Sequence, residues 1–232
     1  RVSFAADRGR ITAILGPSGC GKSTLLHIVA GLTRPEGGEV TLFDGPAETL
    51  RAERKLSYVF QEDRLLPWRT ALRNVMLGLE AAGVPGAERR ERAHRALDLM
   101  RLDGFAEAFP HQLSGGMRSR VALARSLVLD PLVLLMDEPF GRLDALTRAA
   151  MHEELLRIWE RLETSILFVT HDVEEAVVLA DRVVVLAPRP GRLRAVVEVN
   201  NERPRVGKTP AIADLIHELR VMLGAVEDEL PR

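Results

Sequence analysis

The stretch that decides the fold is GPSGCGKSTLL, residues 16–26. It follows the apolar run ITAIL at 11–15, which is typical of a buried strand. The apolar residues at and beyond its end recur at helical spacing and predict one buried face: Leu25, Ile28, Val29 and Leu32. Gly31 stands where such a helix would end. The stretch is therefore a glycine-rich turn between a predicted strand and a predicted helix.

The same turn matches the pattern GxxxxGK[ST], in which backbone amides turn inward and a helix dipole adds positive potential. A tight corner would also use glycine, but the flanking strand and helix favour a phosphate-binding loop. We expect Lys22 to reach the β and γ phosphates, Ser23 to bind Mg²⁺ and Thr24 to lie near the α phosphate. Cys20 is interpreted as a small residue that fills a gap. The predicted nucleotide contacts are Gly16, Pro17, Ser18, Gly19, Cys20, Gly21, Lys22, Ser23 and Thr24.

The composition is that of a soluble globular protein, because 46% of the 232 residues are hydrophobic and 28% are charged. A net charge of -1 and an aromatic content of 4% disfavour a nucleic-acid partner. The single cysteine excludes an internal disulfide framework and fits a reducing compartment such as the cytoplasm. Apolar runs such as LVLLM fall far short of the roughly 20 residues that cross a bilayer, so we expect only peripheral membrane association.

Further strands are predicted at 132–136, 165–170 and 182–186, all rich in β-branched or aliphatic residues. Helical patterns alternate with these runs, and this alternation predicts an α/β fold with a mainly parallel sheet. One such pattern begins after Ser114, a predicted N-cap, and its apolar face comprises Met117, Val121, Ala124 and Val128.

Three parts of the chain are predicted to be organised differently. Residues 62–131 read as a helical subdomain inserted into an α/β core of residues 1–61 and 132–200. Residues 201–232 read as a polar linker followed by an amphipathic helix. The buried face of that helix is predicted to contain Ile212, Leu215, Ile216, Leu219, Met222 and Leu223.

Polar residues follow two of the predicted strands at their carboxyl ends, where ligands bind in open parallel sheets. Asp137 and Glu138 directly follow the run LVLLM, and His171 follows SILFVT. We expect Asp137 to help hold Mg²⁺, Glu138 to polarise the attacking water, and His171 to donate to the γ phosphate. An isolated Asp-Glu pair could equally begin a solvated turn, but the phosphate loop upstream favours the catalytic interpretation.

The segment LSGGMRSRVALARSL, residues 113–127, provides a second anion-binding surface through Ser114, Gly115 and Gly116. One nucleotide does not need two such surfaces from one subunit. With this segment, the chain resembles the ATP-binding subunit of an ABC transporter over nearly its whole length. In that family two subunits meet head to tail, so the resemblance implies a homodimer in which these three residues contact ATP held by the partner.

The resemblance implies further roles and a fold. Gln61 is similar to the Q-loop glutamine that contacts Mg²⁺ and the attacking water, and Asp144 to the D-loop aspartate that faces the partner. His171 is similar to the switch histidine of the family. The implied fold is a P-loop NTPase (RecA-like) core with a small antiparallel β portion near the N-terminus. The implied metal ligands are Ser23, Gln61 and Asp137; the implied catalytic residues are Glu138, His171 and Gln61.

The run FQEDRLLPWRTALRNV, residues 60–75, is similar to importers of the nitrate, sulfonate and taurine group. This resemblance implies uptake of a small anionic solute, delivered by a solute-binding protein to a membrane permease. The permease is expected to dock near Gln61 to Trp68, which places the subunit at the cytoplasmic face of the membrane. Trp68 could instead be an ordinary core residue. Arg142 departs from the family pattern, because a small residue is expected at this D-loop position.

Other functions remain open on sequence alone. A small-metabolite kinase would share residues 16–24 but would not use LSGGM. A non-hydrolysing scaffold is opposed by Glu138 and His171. A nucleic-acid-handling ABC protein is opposed by the short helical insert and the lack of a second cassette, and a soluble ABC-type ATPase not coupled to transport also stays possible.

Overall fold

The computed structural model describes residues 2–188, 191–205 and 209–224. Its elements, in chain order, are β1 (Ile11–Leu15), α1 (Lys22–Ala30), β2 (Thr41–Leu42), β3 (Gly45–Pro46), α2 (Ala47–Ala52), β4 (Leu56–Val59), α3 (Ala71–Ala81), α4 (Gly86–Leu99), α5 (Gly115–Leu127), β5 (Val133–Asp137), α6 (Ala145–Leu162), β6 (Ser165–Thr170), α7 (Val173–Leu179), β7 (Arg182–Leu186), β8 (Leu193–Glu198) and α8 (Pro210–Gly224). Two compact units result. The first comprises the described residues up to Ala47 and from Ser165 onward, and the second is Glu48–Thr164.

The first unit is built on strands in the order β6, β1, β7, β8. β1 runs parallel to β6 and β7, and β8 closes against β7 in the antiparallel sense. Every residue of β1 is buried, as expected for an apolar strand that is covered on both faces. Leu15 lies opposite Thr170, so the chain leaves β1 and β6 at the same edge of this sheet. β2 and β3 form the small antiparallel pair expected near the N-terminus.

α1 begins and ends at glycines. Gly21 is its N-cap with φ of 101°, and Gly31 follows the last helical residue with φ of 76°. The predicted helix end is confirmed, but the predicted apolar face is wrong in part. Leu26 is fully buried, whereas Leu32 is 59% exposed, because Leu32 lies beyond the left-handed Gly31 and no longer follows the helical spacing.

The second unit pairs β4 with β5 in parallel, with Val59 opposite Met136. Helices α3, α4 and α5 pack together within this unit. Ser114 caps α5 as predicted, because its Oγ accepts a hydrogen bond of 3.2 Å from the Met117 amide. The boundaries of the inserted subdomain stay a prediction. Across the described chain, no helix has both the length and the apolar character needed to cross a bilayer.

The segment that precedes α8 is anchored to the first unit by Arg205, which is 4% exposed. Its guanidinium donates hydrogen bonds to the backbone carbonyls of Val177 and Ala180 at the end of α7, and to those of Val199 and Asn201 after β8. Burial, and then the neighbouring Arg203, lower the pKa of Arg205 to about 10, so it remains a cation at neutral pH. α8 itself buries Ile212, Ile216 and Leu219 of the predicted apolar face.

Candidate functional site

The predicted phosphate loop connects β1 to α1 in the first unit. Lys22 is 5% exposed, and its Nζ donates to the carbonyl oxygens of Gly16 at 2.7 Å and Pro17 at 3.1 Å. These bonds compensate the buried ammonium and fix it at the mouth of the loop. Gly21 has no side chain to fill the space in front of α1, and its left-handed backbone is one that glycine adopts without strain. The N-terminus of α1 is therefore suited to an anion.

Cys20 packs inside this loop and is 5% exposed. A Cβ atom placed on Gly16 would lie 2.9 Å from the Cys20 Sγ. The thiol occupies the space that a larger residue at position 16 would need. This geometry agrees with the interpretation of Cys20 as a small residue filling a gap.

His171 directly follows β6 and is exposed. The next residue, Asp172, caps α7 by accepting from the amides of Glu174 at 2.9 Å and Glu175 at 3.2 Å. The Asp172 amide in turn donates to the Thr170 Oγ1 at 2.9 Å. His171 is thus held between a strand end and a capped helix, at the sheet edge from which the phosphate loop also leaves.

Asp137 is the last residue of β5 in the second unit and is 9% exposed. Its Oδ2 accepts a hydrogen bond of 3.1 Å from the Tyr58 hydroxyl on neighbouring β4. Burial, and then the Asp137 carboxylate, raise the pKa of Tyr58 above its usual value, so Tyr58 remains a donor. Sequence reasoning missed Tyr58, because only the pairing of β4 with β5 brings it to Asp137.

Glu138 follows in a turn with a backbone φ of 41°, a left-handed conformation that costs a non-glycine residue about 1–3 kcal/mol. Its Oε2 accepts a hydrogen bond of 3.3 Å from the Gln61 Nε2. The turn is closed by the Gly141 amide, which donates to the Glu138 carbonyl at 3.2 Å. The fold therefore brings together two of the predicted catalytic residues, and it holds the Glu138 side chain through a strained backbone.

The second predicted anion-binding surface, Ser114 to Gly116, lies at the start of α5. Ser114 is the N-cap, Gly115 is the first helical residue and Gly116 follows. A Cβ atom on Gly116 would lie 2.6 Å from the Thr147 Cγ2 at the start of α6, so the two helix N-termini are in contact here. A side chain at position 116 would force the Thr147 side chain to shift, which gives glycine here a packing reason.

Asp144 is the N-cap of α6. Its carboxylate accepts from the amides of Leu146 at 3.1 Å and Thr147 at 3.0 Å, and from the Thr147 hydroxyl at 2.6 Å. The Thr147 hydroxyl, followed by these amides, lowers the pKa of Asp144 below its usual value. The predicted D-loop aspartate therefore has a local structural role as a helix cap.

Arg142 makes an ion pair that sequence reasoning did not foresee. Its Nη2 donates to the Glu62 Oε1 at 2.8 Å, and both side chains are more than half exposed. Because Glu62 follows Gln61 directly, the pair links the predicted D-loop to the predicted Q-loop within the second unit. This contact gives the unusual arginine a partner.

We expect the Arg142 and Glu62 pair to contribute little to stability. Exposed ion pairs are worth about 0.2–1 kcal/mol, and salt screens them. A double-mutant cycle of Arg142→Ala and Glu62→Ala, measured by urea unfolding, should give a coupling energy below about 1 kcal/mol that shrinks at 1 M salt. A coupling above about 2 kcal/mol, unchanged by salt, would show that the pair is not behaving as a solvated one.

The loop that follows Gln61 is fixed by a fully buried amide. Asn74 accepts from the Leu66 amide at 2.7 Å and donates through Nδ2 to the carbonyls of Leu66, Arg69 and Thr70. Trp68, on the same loop, is 71% exposed, so the alternative that it is an ordinary core residue is wrong. The loop therefore holds a large aromatic side chain in solvent.

A shallow pocket, open to solvent, lies beside this loop in the second unit. It is lined by polar and apolar residues from β4, α5, the turn after β5 and α6, among them Phe60, Gln61, Asp63, Ser119 and Phe140. Gln61 thus contributes both to the Glu138 contact and to a surface concavity.

Comparison with known proteins identifies the family of the chain. Residues 1–141 match the ABC transporter family. The chain is 52% identical over 204 residues to an uncharacterized ABC transporter ATP-binding protein of Methanocaldococcus jannaschii, covering 88% of this chain and 76% of that protein. It is 47% identical over 241 residues to the taurine import ATP-binding protein of Rhizobium johnstonii, covering 98% of this chain and 89% of that protein.

Solved structures are similar in fold. A dimeric, post-hydrolysis ATP-binding cassette bound to ADP and Pi superposes with a TM-score of 0.75 at 33% identity, covering 87% of this chain and 90% of that one. A cassette of Clostridium perfringens, part of an ABC transporter complex, gives a TM-score of 0.79 at 27% identity, covering 94% and 85%. The chain therefore belongs to the ABC transporter family, as one of its ATP-hydrolysing, ATP-binding cassettes.

Proposed function

We propose that this chain is the ATPase subunit of an importer and that it drives uptake of a small anionic solute, of the sulfonate class that includes taurine. The proposal is supported by relatives that are named as taurine import ATP-binding proteins. The observation that carries the motor role is the Gln61 to Glu138 hydrogen bond at a strained turn, which places a base and an amide side by side.

Lys22 binds the triphosphate as a point charge, and the amides that follow Gly21 surround its oxygens. Glu138 accepts a proton from the attacking water, and His171 donates a hydrogen bond to the γ phosphate. These are the roles that a loose, highly charged phosphoryl-transfer transition state requires of the protein.

The residues assigned to Mg²⁺ fit the ion chemically, because Ser23, Gln61 and Asp137 all offer hard oxygen atoms. In the described ranges, no group of three or more His, Cys, Asp or Glu residues could hold a metal by itself. Mg²⁺ in nucleotide sites needs only one or two carboxylates beside phosphate and water oxygens. When bound, the ion neutralises charge on the β and γ phosphates. Tyr58 orients the Asp137 carboxylate through its hydroxyl.

Two copies of the chain are proposed to close around two ATP molecules. Ser114, Gly115 and Gly116 at the α5 N-terminus would contact the γ phosphate held by the partner, which only the ATP-bound state provides. This differential contact is what lets ATP binding shift the equilibrium towards the closed pair. The dimeric cassettes among the similar structures support the arrangement.

The loop around Trp68 is proposed as the docking surface for the permease at the cytoplasmic face of the membrane. A mostly exposed tryptophan on a loop fixed by buried Asn74 is suited to receive an apolar helix. A solute-binding protein would deliver the solute from the other side. Nucleic acid is not expected as a partner.

The test is to purify the subunit with its permease in lipid vesicles and to measure ATP turnover with solute-binding proteins loaded with different anions. We expect a sulfonate-loaded binding protein to raise turnover, and Trp68→Ala to abolish this rise without changing the turnover of the isolated subunit. An ATP turnover rate that no binding protein changes would favour a soluble ABC-type ATPase. Binding of ATP without any hydrolysis would favour a nucleotide-dependent scaffold.

A further inference from the structure

Leu186, which ends β7, and Gly191, which lies just before β8, are placed against the phosphate loop within the first unit. The Ala187 amide donates to the Arg192 carbonyl at 2.9 Å and joins the two sides of the turn between these strands. A Cβ atom placed on Gly191 would lie 2.0 Å from the Cys20 carbonyl oxygen. On the other side, a Cβ atom on Gly16 would lie 3.1 Å from the Leu186 carbonyl oxygen. The loop and the turn therefore meet through their backbones.

The contact at Gly191 leaves no space for a side chain. A Cβ atom essentially never comes within 3.0 Å of a heavy atom outside its own residue and its chain neighbours, and here the obstacle is a backbone carbonyl rather than a side chain that could rotate away. The space beside the Cys20 carbonyl therefore calls for glycine at 191.

A displacement of the Cys20 backbone would move the predicted nucleotide-binding groups in two ways. Cys20 directly precedes Gly21, the N-cap of α1, so its carbonyl belongs to the backbone that aims the first-turn amides. Its thiol also fills the space beside Gly16, whose carbonyl accepts the 2.7 Å hydrogen bond from the Lys22 ammonium. Both the amides and the lysine would move if the Cys20 backbone were displaced.

We propose that Gly191 is a positioning residue, and that the turn after β7 supports the phosphate loop from outside the site. Gly191 acts through the loop and is not one of the proposed nucleotide contacts. It sets the position of the Cys20 carbonyl and thereby the orientation of the backbone amides in the loop. This inference rests on the proposed role of the loop in ATP binding, and it adds a residue about 170 positions away in sequence to the groups that tune that binding.

The test compares Gly191→Ala with Gly37→Ala, a matched change in the same unit at a residue whose added Cβ would meet nothing within 4 Å. We expect Gly191→Ala to raise the Kd and KM for ATP about tenfold while kcat stays within about twofold, because misplacing a binding group by a fraction of an ångström weakens binding. Gly37→Ala should change neither. An ATP Kd for Gly191→Ala within about twofold of the unaltered protein overturns the proposal.

A second measurement uses no nucleotide. Cys20 is the only cysteine of the chain and is buried, so a thiol reagent reports on this loop alone. We expect Gly191→Ala, but not Gly37→Ala, to speed labelling of the folded protein about tenfold, since the displaced backbone exposes the thiol. Unchanged labelling overturns the contact even if the protein binds no ATP, which separates its failure from failure of the proposed function.

A third measurement applies if Gly191→Ala does not fold. Amide hydrogen exchange of the unaltered protein should slow on ATP binding both in the loop at 16–21 and in the turn, at Leu186, Ala187 and Gly191. Protection of the loop without protection of the turn would overturn the proposal.

Discussion

Replacing Glu138 by glutamine is expected to lower the rate of ATP hydrolysis about 10²- to 10⁴-fold, the usual effect of removing one positioned general base. ATP should still bind, because glutamine retains the shape and keeps an oxygen that can accept the 3.3 Å hydrogen bond from Gln61. Since the closed pair can then no longer hydrolyse its nucleotide, the variant should accumulate as an ATP-bound dimer. Single-turnover hydrolysis, ATP titration and size-exclusion chromatography with light scattering measure these three quantities.

Glu153→Gln is the matched control for this experiment. Glu153 lies exposed on α6, outside the turn after β5. Its replacement by glutamine removes the same charge from the second unit. Its hydrolysis rate should equal that of the unaltered protein. Equal rates for Glu138→Gln and the unaltered protein would exclude Glu138 as the base.

Replacing Lys22 by methionine is expected to weaken ATP binding at least about 30-fold, since losing a charged partner from a desolvated contact costs roughly 2–5 kcal/mol. The stability of the nucleotide-free protein should not fall. Methionine has a similar volume, and it removes a buried cation that is costly to desolvate even with the carbonyls of Gly16 and Pro17 as acceptors. Calorimetric ATP titration and thermal unfolding without nucleotide measure the two effects.

The control is Lys55→Met, which removes an ammonium that donates to the Asp130 carbonyl at 3.3 Å, far from the loop in sequence. ATP affinity should stay unchanged in this variant. A parallel loss of affinity in both variants would mean that overall charge, and not the Lys22 contact, governs binding. A lower unfolding temperature for Lys22→Met would show that the lysine also serves the fold.

Much of the fold could be predicted because its signals are local. Continuous apolar runs gave three strands with the observed bounds, Ile11–Leu15, Ser165–Thr170 and Arg182–Leu186. The cap at Ser114 and the stop at Gly31 follow from the chemistry of one residue each. β8 was missed because LRAVVE alternates between half-buried and exposed residues, and its pairing with β7 supplies the missing stabilisation.

The residues around the candidate site could be predicted by type but not by contact. Sequence pattern pointed to Gln61 and Glu138, yet their hydrogen bond joins positions 77 residues apart. The buried Asn74 and the hydroxyl of Tyr58 carry no motif, because what matters is which groups the folded chain places opposite them. The same holds for Arg142, because only the folded chain places Glu62 beside it as an ion-pair partner.

Because the backbone at Glu138 is left-handed, stability and activity favour different residues at this position. Glycine adopts this conformation freely, so replacing Glu138 by glycine would relieve strain of about 1 kcal/mol or more and would also remove the proposed base. A laboratory selection for heat resistance alone would therefore favour a more stable but inactive variant, whereas selection for ATP hydrolysis would keep Glu138 in place.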